Sequence, residues 1–203
     1  VLLGVLGALP FKPDLVLSGI NSGPNIGTDI VYSGTAAAAR QAALHGLPGI
    51  ALSLAGFKAP WHWEGAANFV ASHIQAFLDL CCEDVFLNIN IPNTTIAASS
   101  WCLTWPGRRR YRDALRSFLG PDGNSYFFIG DGTVHTEWEE GCDQHAIDEG
   151  KVSVSPVFLH PVVRKDCVDS APEHAYASAR PEILAERLSP PWAPVHSMDT
   201  QGE

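Results

Sequence analysis

One stretch decides the fold of this chain: residues 13–54, PDLVLSGINSGPNIGTDIVYSGTAAAARQAALHGLPGIALSL. Residues 15–17 form a short apolar run, as expected of a strand that is buried on both faces. The run breaks at Ser18 into a polar, glycine-rich loop, and residues 49–54 form a second apolar run. The two runs predict neighbouring strands of one sheet.

The segment between the two runs predicts a helix. Ser33 or Thr35 can cap its start, and the four alanines at residues 36–39 are the strongest helix formers. Gly46 and the proline two residues later end the helix. Strand, loop, helix and strand in this order predict a parallel β-α-β unit.

The loop and the helix start carry groups that bind ions. In open α/β sheets, ligands bind beyond the carboxyl ends of the strands, where a helix N-terminus favours an anion. Ser33 and Thr35 add hydroxyl donors, and Gly34 lets the backbone approach a bound group. Asn21 and Asn25 offer amide oxygens that suit a hard cation such as Mg²⁺ or Mn²⁺. Together they suggest a metal-assisted phosphate enzyme; the alternative is that these residues only form and cap turns.

The residues themselves favour the enzyme. The segment SGINSGPNIGTDIVYSGTAAAA, residues 18–39, closely resembles the signature of the SurE family, the survival-protein-E nucleotidases. The resemblance implies a Rossmann-like, three-layer α/β/α parallel sheet. It also implies a 5′/3′-nucleotidase, a metal-dependent phosphomonoesterase that hydrolyses nucleoside monophosphates. The site residues that it implies are Asn21 as a catalytic ligand of the divalent metal, Asn25 as a second catalytic residue in the same pocket, and Ser33, Gly34 and Thr35 as contacts of the substrate phosphate.

Two further elements are expected to complete the core. Residues 64–80 are amphipathic and predict a helix that covers the sheet, with Ala67 and Val70 on its buried side. Residues 85–91 alternate strictly and predict a strand. This strand, LNINIP, resembles the family's L-N-V-N-x-P strand, and its two asparagines are expected to pair with backbone rather than with a ligand.

After Trp101 the pattern changes to shorter β-like pieces. The arginine-rich run at residues 108–112, which includes Tyr111, indicates a solvated face or, alternatively, a contact with the phosphate or base of a nucleotide. Residues 125–130 predict an aromatic strand that a turn at residues 130–132 closes. The resemblance implies an arm here that packs against a neighbouring subunit, and hence a homodimer or homotetramer.

The segment at residues 137–150 is acidic and suggests a second metal site. The family resemblance gives a different interpretation, in which Asp143 is the N-cap of a short helix and residues 152–157 form a strand that rejoins the sheet. The domain organisation expected from these patterns is an α/β core at residues 1–100, a β-rich arm and returning strand at residues 101–163, and a proline-rich, partly disordered tail at residues 164–203.

Composition limits the other possibilities. A net charge of −9 over 203 residues argues against nonspecific nucleic-acid binding. No apolar run approaches the ~20 residues that span a bilayer. The five cysteines include no C-x-x-C pair, which favours a reducing cytoplasm over a disulfide framework or a zinc cluster.

One departure from the family pattern lies in the metal site. The family's opening strand carries an Asn-Asp-Asp-Gly motif whose aspartates bind the metal, and this sequence contains no Asp-Asp pair. The resemblance therefore implies that the chain starts within the domain and is catalytically impaired as given. The alternative function is a nucleotide- or phosphate-binding subunit without catalysis. A generic dinucleotide-binding domain is disfavoured, because the loop lacks the G-x-G-x-x-G spacing.

Overall fold

The computed structural model describes residues 1–94 and 100–161, so the predicted tail at residues 164–203 lies outside the described residues. The strands are β1 (Val16–Ser22), β2 (Gly49–Ala55), β3 (Val85–Pro92), β4 (Trp101–Leu103), β5 (Arg108–Leu119), β6 (Ser125–Glu137) and β7 (Val152–Phe158). The helices are α1 (Gly34–Ala43), α2 (Trp63–Leu80) and α3 (Asp143–Asp148), with shorter helical segments at Gly4–Ala8 and Gly27–Val31. Strands and helices alternate from β1 to β3, as the predicted α/β class requires, whereas β4, β5 and β6 follow one another directly.

The main sheet has the strand order β1-β2-β3-β7-β4, and β5 and β6 form a separate hairpin. β1, β2 and β3 are mutually parallel, which confirms the predicted β-α-β unit. β7 runs antiparallel to β3 and parallel to β4, so the sheet is mixed. β2 and β3 lie inside the sheet and are buried on both faces, and in β3 this burial includes the alternating Asn88 and Asn90.

The two longer helices cover opposite faces of the sheet. Ile50 and Leu52 of β2 pack in one core cluster with Phe69 and Phe77 of α2. Ala51, between them, packs in a second cluster with the alanines of α1. Successive side chains of a strand point to opposite faces, so α1 and α2 form the outer layers of a three-layer fold.

The buried side of α2 differs slightly from the prediction. Ala66, Phe69 and Val70 are buried, whereas Ala67 is exposed. The helix is rotated so that the large ring of Phe69, rather than the small Ala67 methyl, fills the interface with the sheet. This orientation buries more apolar surface.

The first strand extends further than its sequence predicts. β1 continues through Ser18 and Gly19 to Ser22, and its register with β2 shifts between Ser18 and Asn21. Gly19 has a φ of +122°, and a Cβ there would lie 2.3 Å from the Leu52 carbonyl oxygen. The glycine that suggested a break therefore forms a bulge, and the bulge carries the strand on to Asn21.

The hairpin also differs from the prediction. Residues 130–132 do not form a turn, because β6 continues through them to Glu137 with a register shift opposite Asp113. The chain reverses instead at Gly120, whose N–H donates to the Asn124 carbonyl at 2.8 Å. Flexible glycines at a bulge and at a turn look alike in sequence, and only the pairing with β5 distinguishes them.

Candidate functional site

A row of polar side chains crosses the face of the sheet that α1 covers. Asn21 of β1 pairs with Ser53 of β2, Ser53 with Asn90 of β3, and Asn90 with Ser153 of β7. Ser53, Asn90 and Ser153 are fully buried. Buried polar groups need hydrogen-bond partners. The row lies beneath the loop that follows β1, so its side chains and the polar groups of that loop can bond to each other.

Asn25 anchors that loop to the row. Its backbone N–H donates to Asn90 Oδ1 at 2.8 Å, and its carbonyl accepts from Asn88 Nδ2 at 2.8 Å and Asn90 Nδ2 at 3.1 Å. Asn88 and Asn90 thus bind backbone, as predicted. Both polar groups of a loop peptide are satisfied from the sheet, which fixes the height of the loop above it.

The predicted metal ligand, Asn21, belongs to the same network. Its Oδ1 accepts from Ser53 Oγ at 2.9 Å and from Asn25 Nδ2 at 3.1 Å. Within residues 1–94 and 100–161, no three His, Cys, Asp or Glu side chains lie close enough to hold a metal ion together. A single neutral oxygen that already accepts two hydrogen bonds does not fit a divalent cation, which usually binds at least one carboxylate. The described residues therefore do not form a metal site by themselves.

The predicted phosphate contacts lie at the N-terminus of α1. Ser33 is the N-cap, and its Oγ accepts from the Ala36 N–H at 3.0 Å. That bond uses a lone pair of the oxygen and leaves the hydroxyl proton free to donate outward. A Cβ on Gly34 would meet nothing within 4 Å, so the space beside the first helical turn is open. Thr35 lies in the same turn and is half-buried.

A cleft of about 480 Å³ opens beside this helix end. Its lining consists of Asn25 and Ser33 together with Pro24, Asp29, Tyr32, Tyr111, Asp113 and Ile129. The structure thus brings Asn25 and Ser33 together on one wall. Asn21 lies behind Asn25, and Gly34 and Thr35 follow Ser33 on the helix. The opposite wall comes from the hairpin: Tyr111 belongs to the run for which the sequence left a nucleotide contact open, whereas Asp113 and Ile129 were not predicted.

Asp29 connects the two walls. Its carboxylate pairs with the Arg109 guanidinium and accepts a hydrogen bond from the Tyr111 hydroxyl. The Arg109 N–H also donates to Thr28 Oγ1 at 3.0 Å. Burial raises the pKa of Asp29, and the charge of Arg109 opposes that rise.

The arginine run follows strand alternation. Arg108, Arg110 and Arg112 are exposed, whereas Arg109 and Tyr111 point inward. The expectation of a solvated face is therefore confirmed for the three exposed arginines and does not hold for Arg109 and Tyr111. The tyrosine within the run of arginines was the feature of the sequence that indicated a second, inward-facing side of this strand.

A buried carboxylate joins the two chain segments that carry the walls of the cleft. Asp143 Oδ2 accepts from the Gly27 N–H at 2.6 Å, and its Oδ1 accepts from the N–H groups of Gly107 at 3.0 Å and Gln144 at 2.9 Å. The N-cap of α3 is Cys142, so the prediction of Asp143 as the N-cap is wrong. Its carboxylate instead joins the segment that carries Asp29 to the start of β5. Burial raises the pKa of Asp143, and the three N–H groups oppose that rise.

The comparison with protein families decides the assignment. The family model described as survival protein SurE matches residues 1–113, which include the polar row up to Asn90, the loop and α1. The chain belongs to the SurE family. This confirms the resemblance found in the signature segment.

Individual SurE proteins agree with this assignment. The chain is 40% identical over 161 residues to a protein named 5′-nucleotidase SurE from Syntrophotalea carbinolica, covering 77% of this chain and 63% of that protein. A protein of the same name from Pelobacter propionicus is 40% identical over 159 residues, covering 77% and 64%. The crystal structure of the SurE protein from Aquifex aeolicus superimposes with a TM-score of 0.64 at 34% identity, covering 83% of this chain and 68% of that one. The chain thus spans somewhat less than two thirds of the length of the two curated relatives.

No helix in the described parts of the chain is long and apolar enough to cross a membrane.

Proposed function

We propose that this SurE-family protein is a metal-dependent phosphomonoesterase that hydrolyses nucleoside monophosphates, a 5′/3′-nucleotidase. The observation that supports the proposal best is the cleft that holds Asn25 and the helix-capping Ser33 on one wall. The relatives named 5′-nucleotidase SurE support the same activity. The substrate phosphate lies at the N-terminus of α1, where unpaired N–H groups and the helix dipole favour an anion.

The residues of the helix start orient the phosphate. The Ser33 hydroxyl already accepts from Ala36 and donates its proton to a phosphoryl oxygen. Thr35 supplies a second hydroxyl from the same turn, and Gly34 keeps the approach open. Asn25 holds the loop against the sheet and lines the same wall of the cleft as Ser33. These groups bind a tetrahedral anion in one orientation, which is a precondition for in-line attack by water.

The cofactor that we propose, Mg²⁺ or Mn²⁺, rests on the family and not on the geometry described above. Asn21 is the one described residue that we assign to the cation, as a ligand that needs at least one carboxylate beside it and a release of its hydrogen bonds to Ser53 and Asn25. The alternative function that the sequence left open is a phosphate- or nucleotide-binding subunit without catalysis.

Release of inorganic phosphate from nucleoside monophosphates tests the function. Turnover should require Mg²⁺ or Mn²⁺ and stop in excess EDTA. Thr35→Ala should weaken phosphate binding by ~1.5–3 kcal/mol, because it removes a donor to a charged group. The matched control is Ser72→Ala, since the exposed Ser72 hydroxyl donates to the Asn68 carbonyl one turn earlier in α2 and does not line the cleft. Binding of phosphate without any turnover would select the alternative function.

We also propose that the protein is a homodimer or homotetramer in the cytoplasm. The support for assembly is the hairpin of β5 and β6, which is apolar and exposed on both faces. One face stacks Phe118 between Tyr126 and Phe128, and the other carries Leu115 and Phe127. A two-stranded hairpin is marginally stable alone, so these side chains call for a partner surface. The cytoplasmic location rests on the cysteines, since Cys81, Cys82, Cys102 and Cys142 are free thiols.

A further inference from the structure

The hairpin side of the cleft holds groups that phosphate binding does not use. Tyr32 follows the loop, and Tyr111, Asp113 and Ile129 come from β5 and β6. Two aromatic rings, an isoleucine and a carboxylate form an unsuitable surface for an anion. They form a suitable surface for a flat, uncharged ring that carries N–H donors.

Tyr32 presents an open ring. The residue is 78% exposed, although it lies at the end of a helical segment whose Ile30 is buried. Its ring meets that of Tyr111 at a centroid distance of 5.9 Å and an angle of 83°, an edge-to-face contact. The Tyr111 ring is fixed in turn, because its hydroxyl bonds to Asp29. The exposed ring is thus held in place from one side and free on the other.

Asp113 lies in the bulge where β5 and β6 shift register. Its carboxylate lines the cleft and is exposed, and within the described residues it has neither a hydrogen-bond partner nor an ion-pair partner. This negative charge repels a phosphate group. It therefore favours one orientation of a nucleotide, with the phosphate at Ser33 and the other end of the molecule at the hairpin.

We propose that Tyr32, Tyr111 and Asp113 bind the nucleobase of the substrate, with the base stacked on the Tyr32 ring and its N–H groups donating to Asp113. The proposal rests on the proposed function, since it assigns the non-phosphate part of the same ligand. The volume of about 480 Å³ lies within the range of small-molecule sites. Guanine presents two adjacent N–H donors on one edge, which match the two oxygens of a carboxylate, whereas adenine presents a donor beside an acceptor. The carboxylate therefore favours GMP over AMP.

The test compares phosphomonoesters with and without a base. The kcat/KM values for GMP, AMP and ribose 5-phosphate are measured for the intact protein and its variants. Tyr32→Ala should lower the ratio of GMP to ribose 5-phosphate by about 5- to 30-fold, through KM rather than kcat, because it removes base stacking. Tyr32→Phe keeps the ring and should restore that ratio. Asp113→Asn should lower the ratio of GMP to AMP by about tenfold.

Phe57→Ala is the matched control, because Phe57 is also 78% exposed and does not line the cleft. It should leave all ratios unchanged. Isothermal titration calorimetry with GMP gives a readout that does not depend on turnover, and Tyr32→Ala should weaken the measured affinity by the same factor.

The outcomes separate this proposal from the proposed function. Turnover of all three phosphomonoesters with ratios that neither variant changes would overturn the nucleobase site and leave the phosphatase intact. Absence of turnover for every substrate would refute the proposed function, and the calorimetric effect of Tyr32→Ala would then still decide the nucleobase site.

Discussion

The substitution Asp143→Asn tests whether a buried carboxylate holds together the two chain segments that carry the walls of the cleft. In the native protein the Gly27 nitrogen lies 2.6 Å from Asp143 Oδ2 and donates to it. An asparagine can keep its oxygen in the place of Oδ1, where it accepts from Gly107 and Gln144. Its NH₂ group then replaces Oδ2 and faces the Gly27 N–H. Two donors would face each other in a fully buried position. The change therefore removes one contact and preserves the volume and the other two.

The magnitude follows from the lost bond. A hydrogen bond to a charged group contributes about 1.5–3 kcal/mol, and a buried donor without an acceptor adds to the cost. We expect Asp143→Asn to lower the free energy of unfolding by about 2–4 kcal/mol. This is a large part of the total free energy of unfolding of a typical domain, which is about 5–15 kcal/mol. Asp143→Ala removes all three contacts and should cost more.

Urea unfolding followed by tryptophan fluorescence measures this difference. The control is Asp148→Asn in the same helix, because Asp148 is exposed and, among the residues that the structure describes, bonds only to the Gln144 side chain at 2.8 Å. It should stay within about 0.5 kcal/mol of the native protein. An Asp143→Asn protein as stable as this control would refute the reasoning, since the Gly27 contact would then contribute nothing.

Four further outcomes are expected. Ser33→Ala removes the helix cap and should lower the free energy of unfolding by about 1 kcal/mol in urea titrations, besides weakening phosphate binding. Asn21→Ala should reduce phosphatase activity and metal affinity together; if metal titration and turnover both stay unchanged, the metal assignment is wrong. The raised native pKa of Asp143 means that the folded protein holds the proton longer than the unfolded chain, whose pKa is about 3.8. The free energy of unfolding should therefore fall as the pH rises from about 3.8 to the higher pKa of Asp143 in the folded protein. Asp143→Asn should flatten this dependence on pH. Phe127→Ser in the hairpin should reduce the mass seen by light scattering, whereas Phe57→Ser, at an exposed site outside it, should not.

Local sequence determined the β-α-β unit. The apolar run of β2, the alanine run of α1 and the serine cap each specify their structure through neighbours within four residues, and the structure has them where they are predicted. The signature segment also contained the candidate site residues Asn25 and Ser33, which line the cleft. Both the family and the α/β class could thus be predicted before any tertiary contact was known.

Tertiary structure decided what the local pattern left ambiguous. Gly19 marks a bulge rather than a strand end only because β2 lies against it, with the Leu52 carbonyl where a Cβ would be. Asp143 looks like a helix cap in sequence, yet it binds Gly27, 116 residues away. Tyr111 reaches Asp29 across 82 residues, and this contact brings the hairpin to the cleft that Asn25 and Ser33 also line. Such contacts depend on which strands become neighbours in the folded chain, and propensity or periodicity within a single segment carries no record of that.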